Sequence, residues 1–245
     1  MARPTPSARL IALMRGQESV LVLTGAGVSR ESGIATFRDA GGLWEGVDPM
    51  EVATPRAFAA DPVRVWRFYD ARREQAARAA PNPAHHAIAA LEATGRPFLL
   101  ATQNVDGLHE RAGNREVVRL HGSLWRLRCT AEGTEREDLR PRLDPLPPLC
   151  AACGALLRPA VVWFEEPLPM AEFGRAEAAA RSAALVLVAG TSSLVHPAAS
   201  LPYVALASGA YVVEINPERT PLSPHASEHL AGPAGVVLPA LLEAA

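Results

Sequence analysis

Apolar positions in this chain fall into two patterns. Short unbroken runs, bounded by Gly, Pro or polar residues, occupy 20–23, 98–101, 117–120, 160–164, 185–189, 211–215 and 236–238. Runs of this length and setting fit strands buried on both faces. Between them lie helical stretches: a short one over 7–16 that closes on Gly16, and a long tract over 54–94, broken at Asp61-Pro62 and at Pro81-Asn82-Pro83. Asp61 suits a helix N-cap and Pro62 the first turn that follows. The alternation predicts an α/β fold, a mostly parallel sheet covered by helices. The proline-rich stretch 141–148 reads as extended chain.

The residues just after the runs are more informative than the runs. They are Thr24-Gly25, Thr102-Gln103-Asn104, His121-Gly122, Gly190-Thr191-Ser192-Ser193 and Asn216. In an open parallel sheet the carboxyl edge of the strands is where ligands bind, so five polar or glycine motifs converge there. Gly25-Ala26-Gly27 after the first run suits a phosphate cradle, because two glycines let backbone approach a pyrophosphate closely. A G-x-G turn without a third glycine equally joins a strand to a helix; five converging motifs favour the ligand. A hydride-transfer domain would carry an acidic residue at the end of the next strand, ~20 residues on. That region here is Trp44-Glu45-Gly46-Val47-Asp48-Pro49, with no apolar strand leading into it.

Composition narrows the classes further. With 245 residues, 49% hydrophobic and 20% charged, the chain can bury the core of one large domain with an insertion. A net charge of −2 gives no general attraction to nucleic acid or to anionic membranes, so neither is expected as a partner. All 24 basic residues are arginine. A lysine Schiff base and a Walker-type phosphate lysine are therefore excluded. The abundance of Ala, Arg, Pro and Gly fits codon bias in a GC-rich genome as the cause. The apolar run 10–14 is too short for a signal peptide core, and no run reaches the ~18 residues of a membrane span, so a cytoplasmic protein is expected. Cys129, Cys150 and Cys153 are odd in number and clustered, which points to metal-binding or structural thiols rather than a disulfide framework.

Taken together, Gly25-Ala26-Gly27-Val28-Ser29, Gly33-Ile34-Ala35-Thr36-Phe37-Arg38, Thr102-Gln103-Asn104-Val105-Asp106, His121-Gly122, Val161-Val162-Trp163-Phe164, Gly190-Thr191-Ser192-Ser193 and Asn216 resemble the sirtuins, NAD-dependent protein-lysine deacylases, across nearly the whole chain. The resemblance implies that NAD is consumed: nicotinamide leaves, and the acyl group of an acyl-lysine protein or peptide ends on ADP-ribose. It implies His121 as general base, a task suited to an imidazole at neutral pH, with Asn104 positioning the reacting end. His85, His86, His109, His196, His225 and His229 have no comparable claim. Around NAD the resemblance implies Gly25, Ala26, Gly27, Ser29, Thr36, Phe37, Arg38, Trp44, Gln103, Asn104, Asp106, Gly190, Thr191, Ser192, Asn216, Glu218 and Ala234. Val162 and Phe164 lie on the segment along which such enzymes lay the peptide by strand addition. Two departures stand out: Ala35 replaces a proline, and Glu165-Glu166 stands where Gly-Glu is usual.

Tyr69 and Arg72 are three apart on one helix face. They match the Y-x-x-R motif of sirtuins that remove succinyl, malonyl and glutaryl groups, where a guanidinium and a phenol would hold the acyl carboxylate. Acidic acyl groups and acetyl are both expected substrates. Sirtuins usually bind structural zinc through two C-x-x-C pairs. Here Cys150 and Cys153 form one pair, but Cys129 is followed three residues later by Glu132. Either Glu132 or another oxygen completes a zinc site, or zinc has been lost. The expected architecture is a Rossmann-like parallel sheet domain from 1–42, 95–125 and 181–245, with a helical insertion at 43–94, a small cysteine-bearing module at 126–164 and a connection at 165–180. Two other functions remain in view: transfer of ADP-ribose itself, or a non-catalytic NAD-binding partner protein.

Overall fold

The computed structural model describes residues 4–36 and 47–245. Its helices are α1 (Ala8–Arg15), α2 (Pro55–Ala60), α3 (Pro62–Arg78), α4 (Pro83–Glu92), α5 (Leu108–Ala112), α6 (Met170–Ser182), α7 (Leu201–Ala207) and α8 (Ala234–Ala244). The strands are β1 (Val20–Thr24), β2 (Phe98–Thr102), β3 (Val117–Arg119), β4 (Gly122–Cys129), β5 (Glu135–Glu137), β6 (Leu157–Val161), β7 (Leu185–Ala189), β8 (Tyr211–Ile215) and β9 (Glu228–Leu230).

Six strands form one parallel sheet in the order β3-β2-β1-β7-β8-β9. Chain order reverses direction between β1 and β7, which opens a crevice at the carboxyl ends of those two strands. Side chains alternate across the sheet. Val20 and Val22 face a core shared with α1, α4 and α8, while Leu21 and Leu23 face one shared with α6 and α7. Residues 165–180, expected as a connection, contain most of α6, whose Ala176 and Ala180 are fully buried in that second core.

The helix boundaries follow the expected chemistry. Ser7 Oγ caps α1 by accepting from Leu10 N, and Asp61 caps α3 by accepting from Arg64 N. Buried Arg96 closes the other end of α1 by donating to the carbonyls of Leu13 and Met14.

Three expectations change. Residues 236–238 are not a strand but part of α8, where Ala234, Val237, Leu238 and Leu241 form the buried stripe. The sixth strand of the sheet is β9, whose Glu-His-Leu sequence carries no apolar run. The run at 160–164 does not join the large sheet; it begins in β6, which pairs antiparallel with β4 in a separate three-stranded sheet, β5-β4-β6. That sheet, α2 and α3 share a third core built from Phe58, Trp66, Tyr69, Leu127, Cys129, Leu157 and Trp163.

Candidate active site

The crevice is lined by backbone that only glycine permits. Gly27 N donates to the carbonyl of Gly190 at 2.8 Å, and a Cβ on Gly27 would lie 2.8 Å from Gly190 Cα. Gly190 has φ +60, and a Cβ there would lie 2.4 Å from Val28 N. The loops after β1 and β7 therefore touch main chain to main chain. This leaves peptide groups rather than side chains facing the crevice, a surface suited to a pyrophosphate.

Polar side chains from four neighbouring strand ends are cross-linked above it. Gln103 Nε2 donates to Thr191 Oγ1 at 3.1 Å, and Asn216 Nδ2 donates to the Thr191 carbonyl at 2.8 Å. Asn104 Nδ2 donates to the Gly25 carbonyl at 3.1 Å and to Ser29 Oγ at 3.2 Å, which leaves Asn104 Oδ1 as the acceptor of that amide. Ser29, expected to face phosphate or ribose, is buried and spends its proton on Asp106 Oδ2 at 2.7 Å. The other Asp106 oxygen accepts from Leu108 N at 2.9 Å. Burial pushes the Asp106 carboxyl up, and these two bonds oppose the shift.

His121 stands directly after β3, and its Nδ1 lies 3.1 Å from the Gln103 carbonyl. A carbonyl only accepts, so Nδ1 carries the proton and Nε2 carries the free lone pair. Burial lowers the His121 pKa below its ordinary value, with the Gln103 bond opposing it. The residue is a neutral, oriented base at physiological pH.

Ser192, Glu218 and Ala234 follow β7, β8 and β9 in the chain. Ser192 is half-buried beside Thr191. Glu218 is exposed, and its N–H lies 3.4 Å from Asn216 Oδ1. Ala234 begins α8 with its methyl buried in the core, which leaves only its backbone for the expected contact. Thr36 is half-buried at the end of the described loop. Phe37, Arg38 and Trp44 lie outside the described residues.

Tyr69 and Arg72 share one face of α3. The Arg72 guanidinium is 5.8 Å from the Tyr69 ring centroid and 5.7 Å from that of Phe68. Burial raises the Tyr69 phenol above its ordinary value, so it stays protonated. The segment after β6 runs beside Tyr69, which Trp163 touches: Val162 N donates to the His121 carbonyl and Phe164 N to the Ala53 carbonyl, each at 2.9 Å. Phe164 is 48% exposed, a large apolar group at the open side of this segment. Glu165 adopts a left-handed φ of +72, the conformation a glycine would take without strain. Glu166 turns inward to Arg158 and to Trp163 N.

The cysteine cluster includes the carboxylate. One donor atom from each of Cys129, Glu132, Cys150 and Cys153 lies within 4.8 Å of the others, and the Cys129 and Cys153 sulfurs are 3.5 Å apart. Zinc bonded to sulfur at ~2.3 Å in a tetrahedron requires sulfurs less than ~4 Å apart, a spacing that Cys129 and Cys153 already have, and the chemistry of three thiols and a carboxylate suits the metal. Backbone N–H groups of Cys153 and Ala152 hold the Cys150 thiol below its ordinary value, while against the bond from Ala155 N–H the Cys129 and Cys150 thiols push Cys153 up to about 11.

The structure also gives a place to residues the motifs did not single out. His109 Nε2 donates to Thr24 Oγ1 at 3.0 Å, and Thr24 in turn donates to Thr102 Oγ1 at 2.8 Å, beneath Asn104. Burial lowers His109 to about 3 and His85, beside it, to about 4, so both are neutral. Arg73 likewise belongs to no motif because its partners are distant in sequence, and Trp163, though within a motif, has a bond to Tyr69 that the motif does not announce.

A family model described as the Sir2 family matches residues 25–197. The NAD-dependent protein deacylase 2 of Pyrobaculum aerophilum is 51% identical over 231 residues, covering 94% of this chain and 92% of that protein. A solved structure of a Sir2 homologue with NAD aligns with a TM-score of 0.92 at 46% identity, covering 99% of this chain and 95% of that one. A mutant Sir2 homologue with 2′-O-acetyl ADP ribose aligns with a TM-score of 0.91 at 46% identity, covering 98% and 96%.

Proposed function

The chain belongs to the Sir2 family, and from that premise we propose that it removes acyl groups from lysine side chains of proteins or peptides at the expense of NAD. The observation that carries this reading is His121, fixed by Gln103 as an Nε2 base on the edge that also bears the glycine cradle. NAD, when bound, supplies the ribose whose bond to nicotinamide breaks and which accepts the acyl group. The close packing of Gly25, Gly27 and Gly190, whose own N–H groups donate to the Ala189, Gly190 and Ile215 carbonyls, would let the pyrophosphate approach the main chain, with the neighbouring Ala26 and Ser192 N–H groups left to donate to it. Asp106 has lone pairs left to accept from the carboxamide N–H of nicotinamide, and Asn104 Oδ1 accepts from a hydroxyl at the reacting end. His121 Nε2 would take a proton from a hydroxyl of the bound ribose, the general-base part in passing the acyl group to that oxygen. The three free thiols suit a reducing compartment, and we assign the protein to the cytoplasm. Among the described residues no helix is long and apolar enough to cross a membrane.

For the acyl group, the Tyr69 and Arg72 pair favours an acidic chain such as succinyl, with acetyl also accepted. Replacing Arg72 with Met removes a charge-assisted contact, so the succinyl-to-acetyl ratio of kcat/KM falls about 10–100-fold. Steady-state assays on one peptide carrying either acyl group measure it. An equal loss on both substrates contradicts a role in acyl selection.

The cysteine set holds structural zinc with Glu132 as the fourth ligand, joining the β4 end to the 150–153 turn. Elemental analysis of purified protein then finds about one zinc per chain. Glu132→Ala weakens zinc retention against a chelator by at least about tenfold, since three thiolates remain. Wild-type protein without zinc would refute the site.

A further inference from the structure

Trp163 packs in the core of the small sheet, only 3% exposed, yet its one polar atom is directed at the acyl-recognition pair. Trp163 Nε1 lies 3.0 Å from the Tyr69 hydroxyl oxygen. An indole nitrogen can only donate, so the polarity of this bond is fixed: Tyr69 accepts. The phenol proton must then point elsewhere. Among the described residues the hydrogen bond at this oxygen is the one from Trp163, and the charged groups acting on the phenol are Arg72, Arg158 and Glu166.

The indole cannot turn away. Its ring lies 3.4 Å from the Arg158 guanidinium, measured to the ring centroid, and 5.3 Å from the Phe58 ring. Arg158 is held in turn by Glu166, at 2.5 and 2.9 Å, and by the Val161 carbonyl at 2.9 Å. The same Glu166 accepts from the Trp163 backbone N–H at 2.9 Å. Main chain, ring face and indole N–H are thus locked together.

We propose that Trp163 is a positioning residue for acyl selection: by occupying a lone pair of the Tyr69 oxygen, it commits the phenol proton to the carboxylate of an acidic acyl chain. Trp163 does not touch the substrate carboxylate itself. The inference rests on the acidic-acyl reading given above. It adds that selection needs a third residue outside the Y-x-x-R pair, and that Glu166 serves the same end through Arg158 and the main chain.

The test measures kcat and KM for succinyl-lysine and acetyl-lysine forms of one peptide, with wild type, Trp163→Phe, Tyr69→Phe and the double variant. Trp163→Phe lowers the succinyl-to-acetyl ratio of kcat/KM about 3–10-fold, the scale of one hydrogen bond, with the change in the succinyl KM. The double variant loses no more selectivity than Tyr69→Phe alone, because the indole acts through the phenol. A benzothienylalanine at position 163 keeps the ring shape and deletes only the N–H. It gives the same shift and serves if Trp163→Phe unfolds. Parallel loss on both peptides, or additive losses in the double variant, overturns the positioning role. If Arg72→Met also leaves the ratio unchanged, the acidic-acyl reading itself fails; a normal Arg72 effect with a silent Trp163 N–H overturns this inference alone.

Discussion

His121→Ala lowers deacylase kcat/KM about 10²–10⁴-fold, the usual contribution of a positioned general base, while NAD binding persists. The two effects separate because the cradle is made by Gly25, Gly27 and Gly190 main chain, whereas His121 contributes a lone pair from the end of β3. The pH profile gives an independent readout. Burial lowers the His121 pKa from its ordinary 6.5, so the imidazole stays neutral below that pH, and the acid limb of kcat/KM falls with a midpoint under 6.5. That limb disappears in the alanine variant. An activity loss accompanied by an equal loss of NAD affinity, measured by calorimetry, would assign His121 a structural part instead.

Arg73→Met destabilises the protein by about 3–5 kcal/mol, which for a chain of this size lowers the melting temperature by about 6–20 °C. Arg73 is 1% exposed on α3 and reaches into the small sheet. Its guanidinium donates to the carbonyls of Leu124, Asp138 and Arg140 and to the Asp138 carboxylate, and it lies 5.2 Å from the Trp125 ring. Methionine fills much of the space but leaves the buried Leu124 carbonyl and the part-buried Asp138 and Arg140 carbonyls without this donor. The clamp ties β4 and the chain that follows β5 to α3, an anchor of the small sheet separate from the cysteine cluster. Thermal unfolding by circular dichroism measures the effect; a shift under about 2 °C would show that water replaces the clamp.

Much of this could be read from local pattern. The helices α1, α3 and α4 and the strands β1, β2, β3, β7 and β8 follow from apolar runs with caps and prolines at their ends, and the ligand edge follows from what succeeds those runs. Pattern fails where burial is one-sided or brief. In β9 only Leu230 is fully buried, so its Glu-His-Leu sequence shows no run. In α8 three consecutive apolar residues suggested a strand, but the buried set recurs every three to four residues, and Pro239 lies within the helix. Within the site, identity is local and geometry is not. The chain order announces His121, Asn104 and Asp106, while their tautomer, donors and acceptors come from Gln103, Gly25 and Ser29 across neighbouring strand ends. The Trp163–Tyr69 bond spans 94 positions and the Arg73 clamp up to 67, separations at which no motif signals contact.

The most direct test of NAD-dependent deacylation is a product balance by mass spectrometry on wild-type protein with NAD and a succinyl-lysine peptide. The expected result is nicotinamide, free-lysine peptide and O-succinyl-ADP-ribose in equal amounts. Nicotinamide release with ADP-ribose attached to peptide or set free, and the succinyl group still on lysine, would contradict it.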